Sequence, residues 1–196
     1  IIASVKGNAA SILSAERTAL NFLSHLSGIA SATSEMANLI SETNTKIVST
    51  RKTTPNLRIL EKFAVKDGGG MNHRFGLYDG ILIKDNHLAL SGSITNSVSL
   101  AREKCGHMIN IEVEVDNLDQ YREALETQTN AILLDNFNIE DLIKAVNFNK
   151  KNIILEASGK ITKDNILEIA KTGVNLISSG WLTHSSPALD IGLDFS

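Results

Sequence analysis

INIEVEVDNLDQYREALETQTNAILLDN, residues 109–136, decides the fold. Ile109 to Val115 alternates apolar residues with acids, Leu118 to Glu126 reads as an amphipathic helix, and Ala131 to Leu134 is an apolar run stopped by Asp135 and Asn136. Working outward, the same alternation recurs. On the C-terminal side come a helix at Ile139–Val146, a strand at Ile153–Leu155, a helix at Lys163–Lys171 and a strand at Asn175–Ile177. On the N-terminal side come a strand at Gly80–Ile83 and a helix at Ile94–Lys104. Short apolar runs separated by amphipathic helices imply a parallel sheet with helices outside. With Ile47-Val48 further upstream, the count is six strands, two short of an eightfold barrel, so the expected architecture is an incomplete or modified α/β barrel.

The strands end in polar residues. Arg51-Lys52, Lys84-Asp85-Asn86, Glu114, Asp135-Asn136, Glu156-Ala157-Ser158-Gly159 and Ser179-Gly180 each follow an apolar run. Glu114, Asp135, Glu156 and Ser179 are spaced 21, 21 and 23 residues apart, the length of one strand–helix unit. In a closed barrel they converge on the C-terminal rim, where barrel enzymes hold their chemistry. On that rim Arg51, Lys52, His73, Arg74 and Lys84 are cationic or can become so, and arginine suits paired, planar recognition of carboxylate or phosphate. Glu114 and Asp135 are oxygen donors for Mg²⁺ or sugar hydroxyls. Strand alternation puts Glu112 on the same face as Glu114, and it is read as a buried, paired group. Ser158-Gly159 and Ser179-Gly180 allow close approach by a phosphate, the common role of the last two loops of a barrel, and His184 follows one turn later.

Upstream, Leu20, Leu23, Leu26, Ile29, Met36, Leu39 and Ile40 fall at helical intervals between Ser14, read as the cap, and about Thr43. The small-residue patch Gly28-Ala30-Ser31-Ala32 predicts an interrupted helix, or a close approach to a neighbour. Arg17 falls in the predicted first turn, where the helix dipole disfavours a cation, so an anionic partner beyond its own helix is expected. Asn56–Lys66 reads as a helix with Leu57, Leu60, Phe63 and Ala64 on its apolar face, ended by Asp67-Gly68-Gly69-Gly70. The glycines lack dinucleotide-binding spacing, and no Ser/His/Asp nucleophile, Cys/His metal or Walker pattern is present. His25 and His107 read as solvated, Trp181 as packed beneath the rim, Cys105 as a small apolar filler and His87 as holding its loop.

Composition sets outer bounds. The chain has 196 residues, 42% hydrophobic and 21% charged, enough for one substantial core. A net charge of -3 argues against non-specific nucleic-acid binding. The single cysteine, Cys105, excludes an internal disulfide and favours a reducing compartment, so a cytoplasmic protein is expected. No apolar run reaches the roughly 18 residues of a membrane span, and no signal peptide is read. Ile1-Ile2-Ala3-Ser4-Val5 reads as the end of a strand already under way, from which an upstream domain is expected.

Four ordered motifs carry a family resemblance: Glu16-Arg17-Thr18-Ala19-Leu20-Asn21-Phe22-Leu23, Thr50-Arg51-Lys52-Thr53-Thr54-Pro55, Gly68-Gly69-Gly70-Met71-Asn72-His73-Arg74 and Leu82-Ile83-Lys84-Asp85-Asn86-His87. With Leu155–Gly159 and Thr183–Phe195 they resemble quinolinate phosphoribosyltransferase, the nicotinate-nucleotide pyrophosphorylase (carboxylating), over nearly the whole chain. The resemblance implies a six- to seven-stranded α/β barrel of the type II phosphoribosyltransferase kind with its N-terminal sandwich domain largely absent. Residues 1–13 would be the remnant of that domain, 14–186 the barrel, and 187–196 a segment returning to the N-terminal domain. It also implies transfer of a phosphoribosyl group from phosphoribosyl pyrophosphate to quinolinate with decarboxylation. The products are nicotinate mononucleotide, pyrophosphate and CO₂.

By the family's pattern Thr50, Arg51, His73, Arg74 and Lys84 meet quinolinate, aided by Arg17 reaching into a neighbouring subunit of a homodimer. Lys52, Glu114, Asp135, Ser158, Gly159, Ser179, Gly180 and His184 meet phosphoribosyl pyrophosphate. Lys52, Lys84, Glu114 and Asp135 are the expected catalytic groups, with Mg²⁺ on Glu114 and Asp135. The competing readings are a nicotinate phosphoribosyltransferase, which needs to bind one carboxylate, a paralogue linked to molybdenum transport, and a non-catalytic phosphate-binding fragment.

Overall fold

A computed structural model describes residues 1–195. Among the described residues eight helices and six strands occur. A long N-terminal helix, α1 (Ala9–Leu39), precedes β1 (Lys46–Val48), α2 (Arg58–Asp67), β2 (Ile81–Ile83), α3 (Asp85–Ser91) and α4 (Ile94–Lys104). Then follow β3 (Ile111–Val115), α5 (Leu118–Leu125), β4 (Ala131–Asp135), α6 (Ile139–Phe148), β5 (Ile154–Ser158), α7 (Ile166–Lys171), β6 (Leu176–Ser178) and α8 (Trp181–His184). All strand pairs are parallel, in the order β1-β6-β5-β4-β3-β2. The sheet is an open, partial barrel. Between β1 and β2 stands a single-residue bridge at Met71, whose amide donates to Ile47 O at 2.8 Å and whose carbonyl accepts from Ser49 N at 2.9 Å.

Alternation along β3 explains both the core and the site. Ile111, Val113 and Val115 are wholly buried against the helices, with Ile132, Leu134, Leu155 and Ile177 from neighbouring strands. Partners in parallel register share a face. Leu82, Glu112 and Ala131 therefore form one interior layer, and Glu114, Leu133, Glu156 and Leu176 the next. Asp135 and Ser158 pair at the rim. An interior layer of carboxylates cannot close like the aliphatic layers of a packed barrel, and it leaves a polar cleft at the C-terminal mouth.

Local expectations for α1 are corrected. α1 is uninterrupted: it starts eight residues in, capped by the Asn8 side chain on Ser11 N, while Ser14 Oγ donates within the helix to Ala10 O at 2.7 Å. The small residues serve a crossing instead of a break. A Cβ at Gly28 would lie 2.2 Å from Pro187 O, where the C-terminal segment crosses and Leu189 N donates to Ser24 O at 3.0 Å. Arg17 is consequently in the third turn and not the first, so the dipole argument for an anionic partner lapses. α3, for which the sequence carries no expectation, lacks a buried residue, so no apolar pattern announces it; His87 Nδ1 accepts from Lys84 N at 2.8 Å and fixes its start, in keeping with the reading of His87 as holding its loop.

α2 is oriented partly against its pattern: of the expected apolar face Ala64 is buried and Leu57 half-buried, and the rest faces out. Leu60 and Phe63 are exposed, with Ile59 beside them, whereas Glu61 and Lys62 are wholly buried with Ala64 and Val65. Two adjacent charges turn inward because the loops at the barrel mouth need their hydrogen bonds. Glu61 Oε1 takes His25 Nε2 at 2.8 Å and Oε2 takes Thr54 N at 3.0 Å. His25, read as solvated, is thus a half-buried hydrogen-bond partner of a buried acid. Trp181 and Cys105 pack against the core as expected, and His107 is exposed.

Candidate active site

The cleft at the C-terminal ends of the strands has a volume of about 480 Å³ and is lined by Thr50, Arg51, Lys52, His73, Arg74, Lys84, Glu114, Asp135, Glu156, Ser158 and Ser178, over Leu82 and Leu133. Nine of the residues singled out from sequence meet there: Thr50, Arg51, Lys52, His73, Arg74, Lys84, Glu114, Asp135 and Ser158. Cations from the loop after β1, the 71–80 loop and the end of β2 face acids from β3, β4 and β5.

The loop after β1 is held rigidly. Thr53 N donates to Arg51 O at 3.0 Å, Lys52 N to Thr50 Oγ1 at 3.1 Å, and Thr183 Oγ1 to Lys52 O at 2.7 Å. Arg58, which sequence reasoning passed over, reaches back from α2 to Thr53 Oγ1, Arg51 O and Phe75 O at 3.0 to 3.3 Å, joining two loops of the mouth. With the backbone so tied, the Arg51 side chain is presented to the cleft. Its Nε is buried with no hydrogen-bond partner among the described residues. A buried guanidinium nitrogen without an acceptor costs free energy that a bound anion would return.

Arg74 Nη1 donates to Gly80 O at 2.9 Å; burial first, then the like charge of Arg51, holds its pKa below the ordinary arginine value. His73 uses both ring nitrogens: Nε2 is 2.6 Å from Glu112 Oε2, and Nδ1 accepts from Arg74 N at 2.8 Å. Burial opposes charge on His73, but the hydrogen bond and charge of Glu112, with the charge of Glu156, outweigh it and raise its pKa. Glu112 is therefore the buried, paired acid expected. Glu156 is 1% exposed, and its Oε1 has no partner among the described residues. Burial, then the negative charge of Glu112, pushes its pKa up to about 7. The regular spacing had marked Glu156 as a strand-end acid, although no role followed from it.

On the opposite wall Lys84 Nζ forms an ion pair with Glu114, and Asp135 accepts from Asn136 Nδ2 at 2.6 Å. Mg²⁺ favours one or two carboxylates together with phosphate oxygens and water, which Glu114 and Asp135 at the open mouth fit. Ligand atoms of His73, Glu112 and Glu156 also lie within 4.8 Å of one another, deeper in the barrel. That imidazole-containing set suits a transition ion better than Mg²⁺, and the His73–Glu112 hydrogen bond already satisfies two of its members.

The other sequence-selected residues lie outside the cleft lining. Gly159 turns the chain after β5 with φ +92°, and a Cβ there would lie 2.3 Å from Asn136 Oδ1. Ser179 is buried, its amide bonded to Val48 O at 3.1 Å. Gly180 opens α8. A Cβ on it would meet Lys52 Cδ at 2.9 Å and His184 Nε2 at 3.2 Å, so Lys52 links the cleft to Gly180 and to the exposed His184. Arg17 is exposed on α1 and does not line its own chain's cleft.

Residues 29–194 match the family described as Quinolinate phosphoribosyl transferase, C-terminal domain. The chain is 49% identical over 194 residues to a probable nicotinate-nucleotide pyrophosphorylase [carboxylating] of Bacillus subtilis, covering 99% of this chain and 67% of that protein. It is 42% identical over 207 residues to quinolinate phosphoribosyltransferase [decarboxylating] 2, mitochondrial, of Nicotiana glauca, covering 96% of this chain and 58% of the relative. The nicotinate-nucleotide pyrophosphorylase of Ehrlichia chaffeensis superimposes with a TM-score of 0.91 at 46% identity, over 95% of this chain and 68% of that one. A NadC deletion mutant gives the same TM-score, 0.91, at 41% identity over 96% and 69% of the two chains. The chain thus spans roughly two thirds of the length of most of these relatives.

Proposed function

Because this chain belongs to the quinolinate phosphoribosyltransferase family, we propose that its cleft transfers phosphoribosyl from phosphoribosyl pyrophosphate to the ring nitrogen of quinolinate. The 2-carboxylate leaves as CO₂, giving nicotinate mononucleotide for NAD biosynthesis. The observation that carries this reading is a cleft with two kinds of lining: Arg51 and Arg74 from the loops, and the strand-end acids Glu114, ion-paired to Lys84, and Asp135. A planar dianion needs the first and a ribosyl cation the second.

Arg51 and Arg74, which both line the cleft, bind the carboxylates. His73, with both ring nitrogens engaged, orients Arg74 through its backbone amide. As pyrophosphate departs, positive charge grows on the ribose carbon, and the negative charges of Glu114 and Asp135 stabilise it. Mg²⁺ bound at Glu114 and Asp135 would neutralise leaving-group charge. Lys84 and Lys52 carry phosphate charge, while Gly159, Ser158, Gly180 and His184 hold the 5′-phosphate. Decarboxylation then leaves an electron pair at C2, stabilised by the adjacent cationic ring nitrogen and taken up by a proton from water, so the protein's part is to bind and orient. No covalent nucleophile is required. The exposed Arg17, outside its own cleft, fits a role in a partner's cleft in a homodimer, and among the described residues no helix is long and apolar enough to cross a membrane.

The test is formation of nicotinate mononucleotide and CO₂ from quinolinate, phosphoribosyl pyrophosphate and Mg²⁺. It should be run on this chain alone and on the chain joined to the part of the Bacillus subtilis relative outside the match. Product from neither sinks the enzyme reading; product from the fusion alone favours a catalytic domain that needs a covering domain.

A further inference from the structure

Lys62 is the group the mechanism leaves unused. It is wholly buried in the middle of α2, and no carboxylate among the described residues lies within ion-pair distance of it. Its ammonium donates to Ser49 Oγ at 3.0 Å and to the carbonyl of His73 at 2.9 Å, and sits 5.6 Å from the Phe75 ring centroid. Ser49 Oγ in turn donates to Asn72 Oδ1 at 2.9 Å, and Asn72 Nδ2 returns to Lys62 O at 3.0 Å. One lysine thus ties the end of β1 to the 71–75 loop, across the gap where the sheet is open. Arg51 leaves from one side of that junction and Arg74 from the other.

Burying an ammonium without a counter-ion is expensive, and an apolar residue of similar length would fill the same space at lower cost. A charge kept in such a place has to act on something. Resting on the reading of the cleft as a quinolinate site, we propose that Lys62 is a positioning residue that sets Arg51 and Arg74 to the spacing of a dicarboxylate. Its charge, behind the clamp, favours dianionic over monoanionic ligands. The bound dianion supplies the counter-ion that the free protein lacks, so ligand and charge on Lys62 stabilise each other.

The surroundings give this a pH signature. Burial first, then the positive charge of Arg58, lowers the Lys62 pKa to about 8; Asp79, from the 71–80 loop, opposes and Arg51, from the loop after β1, adds to the lowering. By linkage the dianion holds Lys62 protonated, and affinity falls as pH rises through the free protein's value.

The experiment measures quinolinate and nicotinate binding by calorimetry from about pH 7 to about pH 9.5, with steady-state kinetics alongside, for wild type, Lys62→Met and Ser49→Ala. For Lys62→Met the expected result is a loss of quinolinate affinity of about tenfold or more, the size of one charge-assisted contact. Nicotinate affinity and the KM for phosphoribosyl pyrophosphate should stay near wild type, the affinity loss above about pH 8 should disappear, and Tm should fall modestly because the His73 carbonyl and Ser49 hydroxyl lose their donor. Ser49→Ala, which loosens the tether but keeps the charge, should weaken binding less and retain the pH dependence. Equal losses for both acids and for phosphoribosyl pyrophosphate would reduce Lys62 to scaffolding. Wild-type binding that does not fall between about pH 7 and about pH 9.5 would overturn the proposal even if Lys62→Met failed to fold. Since binding is read without turnover, a protein that binds quinolinate through Lys62 but makes no nicotinate mononucleotide would refute the reaction and leave the clamp intact; failure to bind any dicarboxylate would refute the clamp.

Discussion

Arg51→Ala probes the clamp directly. The Arg51 Nε is buried without a partner, and the backbone around it is held by bonds that do not involve its side chain: Thr53 N and Arg58 both bind its carbonyl oxygen. Truncation should therefore leave the loop in place and remove one charged contact to the diacid. Such a contact contributes about 1.5–3 kcal/mol, which at 1.36 kcal/mol per tenfold is a rise of about 10- to 150-fold in the quinolinate KM. Phosphoribosyl pyrophosphate should be spared, because the groups proposed to hold it are Lys52, Glu114, Asp135 and the loops after β5 and β6. Stability should move the other way: deleting a buried, unpaired donor makes a Tm equal to or above wild type the expected result. Steady-state kinetics with each substrate varied in turn, together with a thermal melt, reads all three quantities. An unchanged quinolinate KM would remove Arg51 from the clamp. A fall in Tm of several degrees would mean that the guanidinium has a structural partner in the folded protein.

Two further expectations follow from the geometry. The Glu156 pKa, near 4.5 when unfolded and about 7 in the fold, costs stability wherever the folded carboxyl must give up its proton, so stability declines as pH rises from about 4.5 through about 7, by up to about 3 kcal/mol. Glu156→Gln should remove that decline in denaturant titrations at a series of pH values; an unchanged slope would refute the assignment. Gly159→Ala places a Cβ 2.3 Å from Asn136 Oδ1 at φ +92°, strain of about 1–3 kcal/mol. It should lower Tm and, by displacing the Asn136 that bonds Asp135, raise the KM for phosphoribosyl pyrophosphate more than that for quinolinate; equal effects on both would argue against a phosphate role for this loop.

What was legible in the sequence was whatever periodicity and spacing encode. β3 to β6 and their helices appear close to their expected bounds, because strand alternation and helical spacing arise from the same burial that stabilises them. The rim was legible for a related reason: a polar residue that closes a buried run emerges at the strand's end, which put Asp135 and Ser158 at the rim, whereas Glu114 lies one layer deeper, level with Leu133 and Glu156. α2 shows the limit. Leu60 and Phe63 made an apolar face, and the fold turns that face outward and buries Glu61 and Lys62. Periodicity reports which face is apolar, and the assumption that the apolar face goes inward holds only where the interior asks for nothing else. At the mouth of this barrel it asks for donors and acceptors. Thr54 N, Ser49 Oγ and the His73 carbonyl lie where no strand can satisfy them, and the two charges of α2 are the groups within reach. The signal was present as an inconsistency, two adjacent charges inside a helix with apolar residues on both flanks. Weighing it required knowing how many backbone groups the open side of the sheet leaves unpaired, a property of the assembled barrel and of no single segment.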